Sequence, residues 1–203
     1  MSQVGGIVLC GGRSTRMGQP KAWLQVDRES MLARVVRTLA EVVEPVVVVA
    51  APEQAIPDLP IGIQVVRDVQ EGRGPMQGLA TGLDALVGRV DAAFISGCDV
   101  PGLKASFIRR MIDLIGPALA CVPWIEGFPH PLAAVYRLSV MKVVQEMLHA
   151  ESLRLAGLLD RVPTRLVGEN ELRDIDPTLA SLRNVNTPNE FAQFLRELQA
   201  SSP

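Results

Sequence analysis

The first residues able to do chemistry stand in one stretch, Leu9-Cys10-Gly11-Gly12-Arg13-Ser14-Thr15-Arg16-Met17-Gly18-Gln19-Pro20-Lys21. Glycines let backbone approach a ligand closely. Successive N–H groups in such a turn form an anion-binding concavity. Arg13, Arg16 and Lys21 add cationic side chains, and no Asp or Glu precedes Asp27. A glycine turn with three cations and no acid suits a polyphosphate. A P-loop would read G-x-x-x-x-G-K-[ST]. Here five residues separate Gly12 from Gly18, and Lys21 comes three after Gly18. The dinucleotide fingerprint G-x-G-x-x-G is absent as well.

Five more groups could do chemistry. Asp99 follows the apolar run Ala92 to Cys98, so its carboxylate is expected at a strand tip facing a crevice. Mg²⁺ favours one or two carboxylates completed by phosphates and water. Asp68 ends another predicted strand, either in such a site or paired with Arg67 or Arg73. Gly74-Pro75-Met76-Gln77-Gly78 offers backbone without side-chain bulk beside a flat base, or else an ordinary turn into a helix from about Leu79. Asn184 and Asn186, two apart, would point the same way from a strand and grip one polar ligand. The same segment also fits a helix cap, with Thr187 as N-cap and Pro188 at the first helical position. His130, between Pro129 and Pro131, and Trp124 sit in an expected loop where each either touches a ligand or packs. The chain shows no evident Ser-His-Asp set, metal-binding His pair or activated cysteine. A phosphate monoester has a second pKa of about 6 and is already a dianion near neutrality. It can attack a nucleotide's α-phosphorus without a general base, so aligned and neutralised anions suffice.

The elements that would position these groups alternate. Val4 to Leu9, Val46 to Ala51, Ile63 to Val66, Asp91 to Gly97 and Ala118 to Val122 read as strands. Helices are expected from Ser30 to about Val43, Leu79 to Val87 and Lys104 to Ile115. Strand–helix–strand alternation argues for an open, mostly parallel α/β sheet. The second half is less regular, with Leu132 to Tyr136 and Arg165 to Val167 as strands. Helices are expected around Val140 to Leu148, from Glu151 to Leu159, and from about Pro188. The 203 residues suit one domain, 1–203, whose core is aliphatic, since aromatic content is only 4%. A net charge of −2 speaks against broad nucleic-acid binding. No apolar run reaches the ~20 residues of a membrane span. Cys10, Cys98 and Cys121 are isolated and read as small buried hydrophobes of a reduced, cytoplasmic protein.

Leu9-Cys10-Gly11-Gly12, Arg16-Met17-Gly18 and Lys21 resemble the L-x-G-G-x-x-x-R-M-G-x-x-K signature of the molybdenum cofactor guanylyltransferases. Gly97-Cys98-Asp99-Val100-Pro101, Gly74 to Gly78, the His130-Pro131-Leu132 segment and Arg183 to Pro188 are similar to further family motifs. The resemblance implies a three-layer α/β/α, Rossmann-like open sheet of the nucleotide-diphospho-sugar transferase type. It implies transfer of GMP from GTP to the terminal phosphate of molybdopterin, with Mg²⁺ as cofactor and pyrophosphate as second product. It assigns Arg16, Lys21 and Asp99 to catalysis, with Asp99 on the metal. Leu9, Cys10, Gly11, Gly12, Lys21, Asp68, Gly74, Gly78 and Asp99 fall to the nucleotide, and His130, Asn184 and Asn186 to the acceptor. On that reading the triphosphate and pterin contacts lie at opposite ends of the site. Transient contact with other cofactor-biosynthesis proteins or a recipient molybdoenzyme is implied too. Two departures stand out: Met76 and Gln77 replace the usual Leu and Ala, and Ala50-Ala51 stands where the family often has an asparagine near the base. CTP-dependent or sugar-phosphate nucleotidyl transfer, and a non-catalytic cofactor carrier, are the alternatives.

Overall fold

The computed structural model describes residues 3–11, 19–69 and 72–200. Its first strand, β1 (Val4–Leu9), is followed by a 3₁₀ turn at Lys21–Trp23 and a small hairpin of β2 (Gln25–Val26) and β3 (Glu29–Ser30). Ser30 then caps α1 (Met31–Ala40), its hydroxyl accepting from the Ala33 N–H at 3.2 Å. Strands β4 (Val46–Ala50) and β5 (Gln64–Arg67) follow. After them come α2 (Gly74–Asp84), β6 (Ala92–Gly97), α3 (Ala105–Leu114), β7 (Ala120–Ile125), β8 (Phe128–Pro129) and β9 (Ala133–Arg137). The chain closes with α4 (Met141–His149), β10 (Thr164–Gly168) and α5 (Pro188–Ala200).

The principal sheet runs β10-β7-β9-β6-β1-β4-β5, with β8 paired to β7. β1 pairs in parallel with both β4 and β6, and β9 is antiparallel to its two neighbours. The valine run of β4 is buried at every position because helices cover both faces. Val46 and Val48 join one core with Leu32, Val36, Phe107 and Met111, from α1 and α3. Val47 and Val49 join the other, with Leu79, Leu83, Val144 and Met147 from α2 and α4. Phe94 and Phe107 meet edge to face, centroids 6.4 Å apart, adding about 0.5–1.5 kcal/mol beyond area burial. The three layers and the mostly parallel sheet match the sequence reading. A third, smaller core joins Leu24, Val26 and Met31 to Val185, with Phe191, Phe194, Leu195 and Leu198 of α5 against it.

Several boundaries differ from expectation. Helix α2 begins at Gly74 rather than Leu79: Pro75 supplies the preset φ of the first turn, so the Gly74 to Gly78 segment is itself helical. Trp124 belongs to β7, where it opposes Pro129 in the β7–β8 hairpin, and so is not a loop residue. The helix expected over Glu151 to Leu159 shrinks to a 3₁₀ turn at Leu155–Leu158, preceded by Glu151 with φ of 52°. Asn184 and Asn186 lie in an irregular segment instead of a strand.

Candidate functional site

After β1 the chain goes outward to β4 and β5, then returns to place β6 on the other side of β1. This makes the carboxyl ends of β1 and β6 the switch in strand order, where open α/β sheets open a crevice for ligands. Gly11 and Asp99 follow those two strands, and Lys21 reaches the same place through the 3₁₀ turn that seats Ala22 in the core.

The centre of the crevice is a four-residue polar cluster. Lys21 Nζ donates to Asp99 Oδ2 at 2.9 Å and to Asn186 Oδ1 at 2.6 Å. Asn184 Nδ2 donates to Asp99 Oδ1 at 3.1 Å, and the Val185 N–H donates to the Asp99 carbonyl at 2.8 Å. The Lys21 and Asp99 side chains retain only 18% and 17% exposure, so solvent screens this pair less than a surface one. Gly97 makes room for the carboxylate: a Cβ there would stand 2.6 Å from Asp99 Oδ1.

Supports for the cluster come from distant parts of the chain. The Asn186 and Thr187 N–H groups both donate to the Glu190 carboxylate, while the Glu190 N–H donates to Thr187 Oγ1, a capping box that starts α5. Fully buried Asp176 accepts from the Ser181 N–H at 2.9 Å, and Ser181 Oγ accepts from the Lys104 N–H at 3.0 Å. The Lys104 ammonium stands 2.8 Å from Asp176 Oδ1. Burial alone would raise the Asp176 pKa, but Lys104 and the Ser181 donor outweigh it and hold it below the usual carboxylate range. The Pro101 carbonyl accepts from Arg34 of α1 at 3.1 Å. The segment after β6 and the segment leading to Asn184 are thus locked together.

The other expected site residues divide. Arg16 and Gly12 lie outside the described residues. Gly11 is exposed at the crevice, and the Cys10 carbonyl accepts from Gln54 Nε2 at 2.9 Å. Gln54 Oε1 accepts from the Ala51 N–H at 3.1 Å, so a side-chain amide does serve the end of β4, from a position three residues beyond Ala51. Leu9 and Gly78 face each other: a Cβ on Gly78 would come within 2.9 Å of the Leu9 side chain, which gives Gly78 a helix–strand packing role. Gly74, at φ of 66°, opens α2, and no side chain caps that end of the helix. Asp68 pairs with neither Arg67 nor Arg73; its Oδ1 accepts from the Thr81 hydroxyl at 2.8 Å. Burial raises the Asp68 pKa, and the Thr81 hydrogen bond opposes the rise. Cys10 and Cys98, the residues just after β1 and β6, share a hydrogen bond that lowers the Cys10 pKa and raises that of Cys98, with burial raising both.

His130 lines a separate cavity of about 510 Å³, with Pro75, Val100, Leu132, Leu155 and Asn184 among its walls. Burial lowers the His130 pKa, Glu126 opposing. Asn184 therefore stands between this cavity and Asp99. Asn186 does not lie at a remote end of the site; it holds Lys21. The expected separation of lysine and asparagine ends is corrected on this point: the turn before α5 folds back over the 165 residues separating Lys21 from Asn186.

Among the described residues no group of three or more His, Cys, Asp or Glu could hold a metal. A lone carboxylate at a strand end still fits a hard cation that brings phosphate and water ligands of its own. The Lys21 ammonium rests on that same carboxylate.

The relatives of this chain make it an enzyme of the nucleotidyltransferase class. The model of the MobA-like NTP transferase domain matches residues 6–163. The chain is 33% identical over 194 residues to a probable molybdenum cofactor guanylyltransferase of Pelotomaculum thermopropionicum, covering 95% of this chain and 92% of that one. It is 32% identical over 202 residues to the molybdenum cofactor guanylyltransferase of Desulfosudis oleivorans, covering 98% of both. Molybdopterin-guanine dinucleotide biosynthesis protein A from Archaeoglobus fulgidus shares the fold, with a TM-score of 0.80 at 19% identity, covering 98% of this chain and 100% of that one. The chain belongs to the MobA-like NTP transferase family. Among the described residues no helix is long and apolar enough to cross a membrane.

Proposed function

We propose that this chain transfers GMP from GTP to the terminal phosphate of molybdopterin, releasing pyrophosphate, as one cytoplasmic domain. The observation that carries the reading is the Lys21–Asp99 pair at the strand-order switch, beside an apolar cavity large enough for a flat heterocycle. The names of the relatives support the choice of nucleotide and acceptor.

On this reading the glycine turn at Gly11-Gly12, with Arg16 and Lys21, holds the triphosphate by backbone N–H groups and fixed positive charge. Leu9 and Cys10 shape the turn's entry, and Gly74 at the uncapped end of α2 presents backbone to the base. Asp99 holds Mg²⁺, which supplies charge neutralisation at the phosphates and the leaving pyrophosphate. Asp68 lends a second carboxylate on the nucleotide side. The acceptor enters the cavity lined by His130 and Asn184. Its phosphate dianion supplies the electron pair for the new bond to the α-phosphorus, and the bond to the bridging oxygen breaks, leaving with pyrophosphate. No protein base is required, because the acceptor phosphate is already a dianion near neutral pH.

Calorimetry of GTP with Mg²⁺ against wild type and Asp99→Asn tests the assignment. Wild type should bind GTP with a metal-dependent affinity, and the folded variant should lose the metal dependence. Equal metal-dependent binding by both would remove Asp99 from the metal role.

A further inference from the structure

The loop after β4 reaches both sides of the phosphate site. Ala51-Pro52-Glu53-Gln54 closes a β-turn, the Gln54 N–H donating to the Ala51 carbonyl at 3.2 Å, with Pro52 at the second position, where its fixed φ suits the turn. The turn brings the Gln54 side chain back to the ends of β4 and β1. Its Oε1 accepts from the Ala51 N–H, and its Nε2 donates to the Cys10 carbonyl at 2.9 Å and to Cys10 Sγ at 3.4 Å. Gly11 follows at once, and a Cβ there would stand 3.9 Å from the Ala51 nitrogen. One residue after Gln54, the Ala55 carbonyl accepts from Trp23 Nε1 at 3.2 Å. Trp23 belongs to the same 3₁₀ turn as Lys21. Arg67, at the end of β5, donates to the Ala51 and Gln54 carbonyls at 3.0 and 2.5 Å and anchors the loop to the sheet.

We propose that residues 51–55 are a clamp for the polyphosphate end of the site, with Gln54 as its positioning residue. The proposal rests on the reading of Gly11 and Lys21 as phosphate contacts. Glycine backbone has more freedom to lose than any other when it closes on a ligand. Gln54 removes part of that freedom in advance by fixing the carbonyl that precedes Gly11. Ala55 steadies the turn that carries Lys21. Preorganisation of this kind raises affinity by lowering the ordering cost of binding. The Gln54 amide accepts from β4's end and donates to β1's end, so it also fixes the spacing between those two strand ends. The clamp serves the phosphates that every nucleoside triphosphate shares. It therefore sets nucleotide affinity and leaves both the choice of base and the acceptor alone.

The test measures GTP affinity by calorimetry, and kcat and both KM values by turnover. The proteins are wild type, Gln54→Met, Gln54→Glu, Trp23→Phe and the double variant of Gln54→Met with Trp23→Phe, each checked by thermal unfolding. Methionine keeps the side-chain length without either hydrogen bond. Glutamate keeps the acceptor for Ala51 and loses the donor to Cys10. Both should weaken GTP binding and raise GTP KM roughly three- to tenfold, the scale of a hydrogen bond. The kcat, the acceptor KM and the GTP-to-CTP ratio of kcat/KM should stay close to wild type. Trp23→Phe keeps a ring and loses the N–H, and should weaken GTP in the same direction. The double variant should weaken GTP by less than the product of the single effects, because either break frees the same loop, whereas independent damage to the fold would multiply. Unchanged GTP affinity in folded Gln54→Met overturns the proposal. So does Gln54→Glu matching wild type while Gln54→Met is impaired, since the link to Cys10 would then carry nothing. So does a shifted GTP-to-CTP ratio, which would make the loop a reader of the base. If Gln54→Met fails to fold, Trp23→Phe decides, and unchanged GTP affinity there overturns the proposal. Wild-type protein that binds no GTP would overturn the underlying reading, and the proposal with it.

Discussion

Gly97→Ala puts one methyl group where the site has no space. A Cβ at residue 97 would lie 2.6 Å from Asp99 Oδ1, and ordinary contact begins at 3.4 Å. The carboxylate must therefore move by about 0.8 Å. That oxygen accepts from Asn184 Nδ2 at 3.1 Å, and its twin accepts from Lys21 Nζ at 2.9 Å, so both contacts lengthen or break. A misplacement of about 1 Å in a positioned group costs up to roughly 10²-fold in rate, and we expect a fall in kcat of about 10- to 100-fold. The fold itself should hold. Gly97 ends a strand, and replacing a strand glycine by alanine reduces unfolded-state freedom, worth about 0.4–1 kcal/mol where the backbone tolerates it. Pyrophosphate release gives the rate, and thermal unfolding by circular dichroism gives the control. Loss of rate with an unchanged or raised Tm is the expected pair. Near-wild-type turnover at unchanged Tm would mean that the position of Asp99 is unimportant, and would refute the reasoning.

Asp176→Asn should destabilise the chain by about 3 kcal/mol, the low end for breaking a buried pair, because Lys104 is 42% exposed and can rehydrate. The folded Asp176 pKa is depressed, so its stabilisation is complete above the unfolded value of about 4 and is lost as pH falls through the folded one. The wild-type-to-variant gap in unfolding free energy should be flat from about pH 5 to 8 and shrink in stronger acid; a gap that widens there contradicts the sign. Cys121, fully buried with its pKa pushed up to about 12 by burial, should resist iodoacetamide in the native chain at about pH 8. Peptide mass spectrometry that finds it alkylated before unfolding would count against the packing. Burial keeps His130 neutral across the usual assay range, so acceptor KM should be flat from about pH 7 to 8, and a rise toward pH 7 would point to a titrating imidazole.

The strands that build the crevice were legible because their apolar runs are unbroken. The run Val46 to Ala51 reads as doubly covered, and its strand, Val46–Ala50, is. Asp99 was legible for the same reason, since a carboxylate that ends a buried strand has only the crevice to face. The start of α2 was misplaced because two glycines masked a helix that Pro75 begins. Gln54 escaped notice because a family pattern drew attention to positions 50 and 51, and a side-chain amide can reach the same backbone from a loop. Asn184 and Asn186 were recognised, but their hydrogen bonds to Asp99 and Lys21 were not. Local sequence shows that two amides stand near a cap; it carries no sign that the turn returns over 165 residues to Lys21. Asp176 gave no signal at all, since its importance comes from complete burial beside Lys104 and Ser181.

The central claim is guanylyl transfer to a pterin phosphate. Pyrophosphate release measured with each of GTP, CTP, ATP and UTP, with and without molybdopterin, in the presence of Mg²⁺, tests it most directly. The account predicts release that requires both GTP and molybdopterin, with GTP preferred over CTP by roughly 5- to 150-fold in kcat/KM, the range that one buried polar contact of ~1–3 kcal/mol supplies. Equal use of CTP, or release that is independent of molybdopterin, would contradict it.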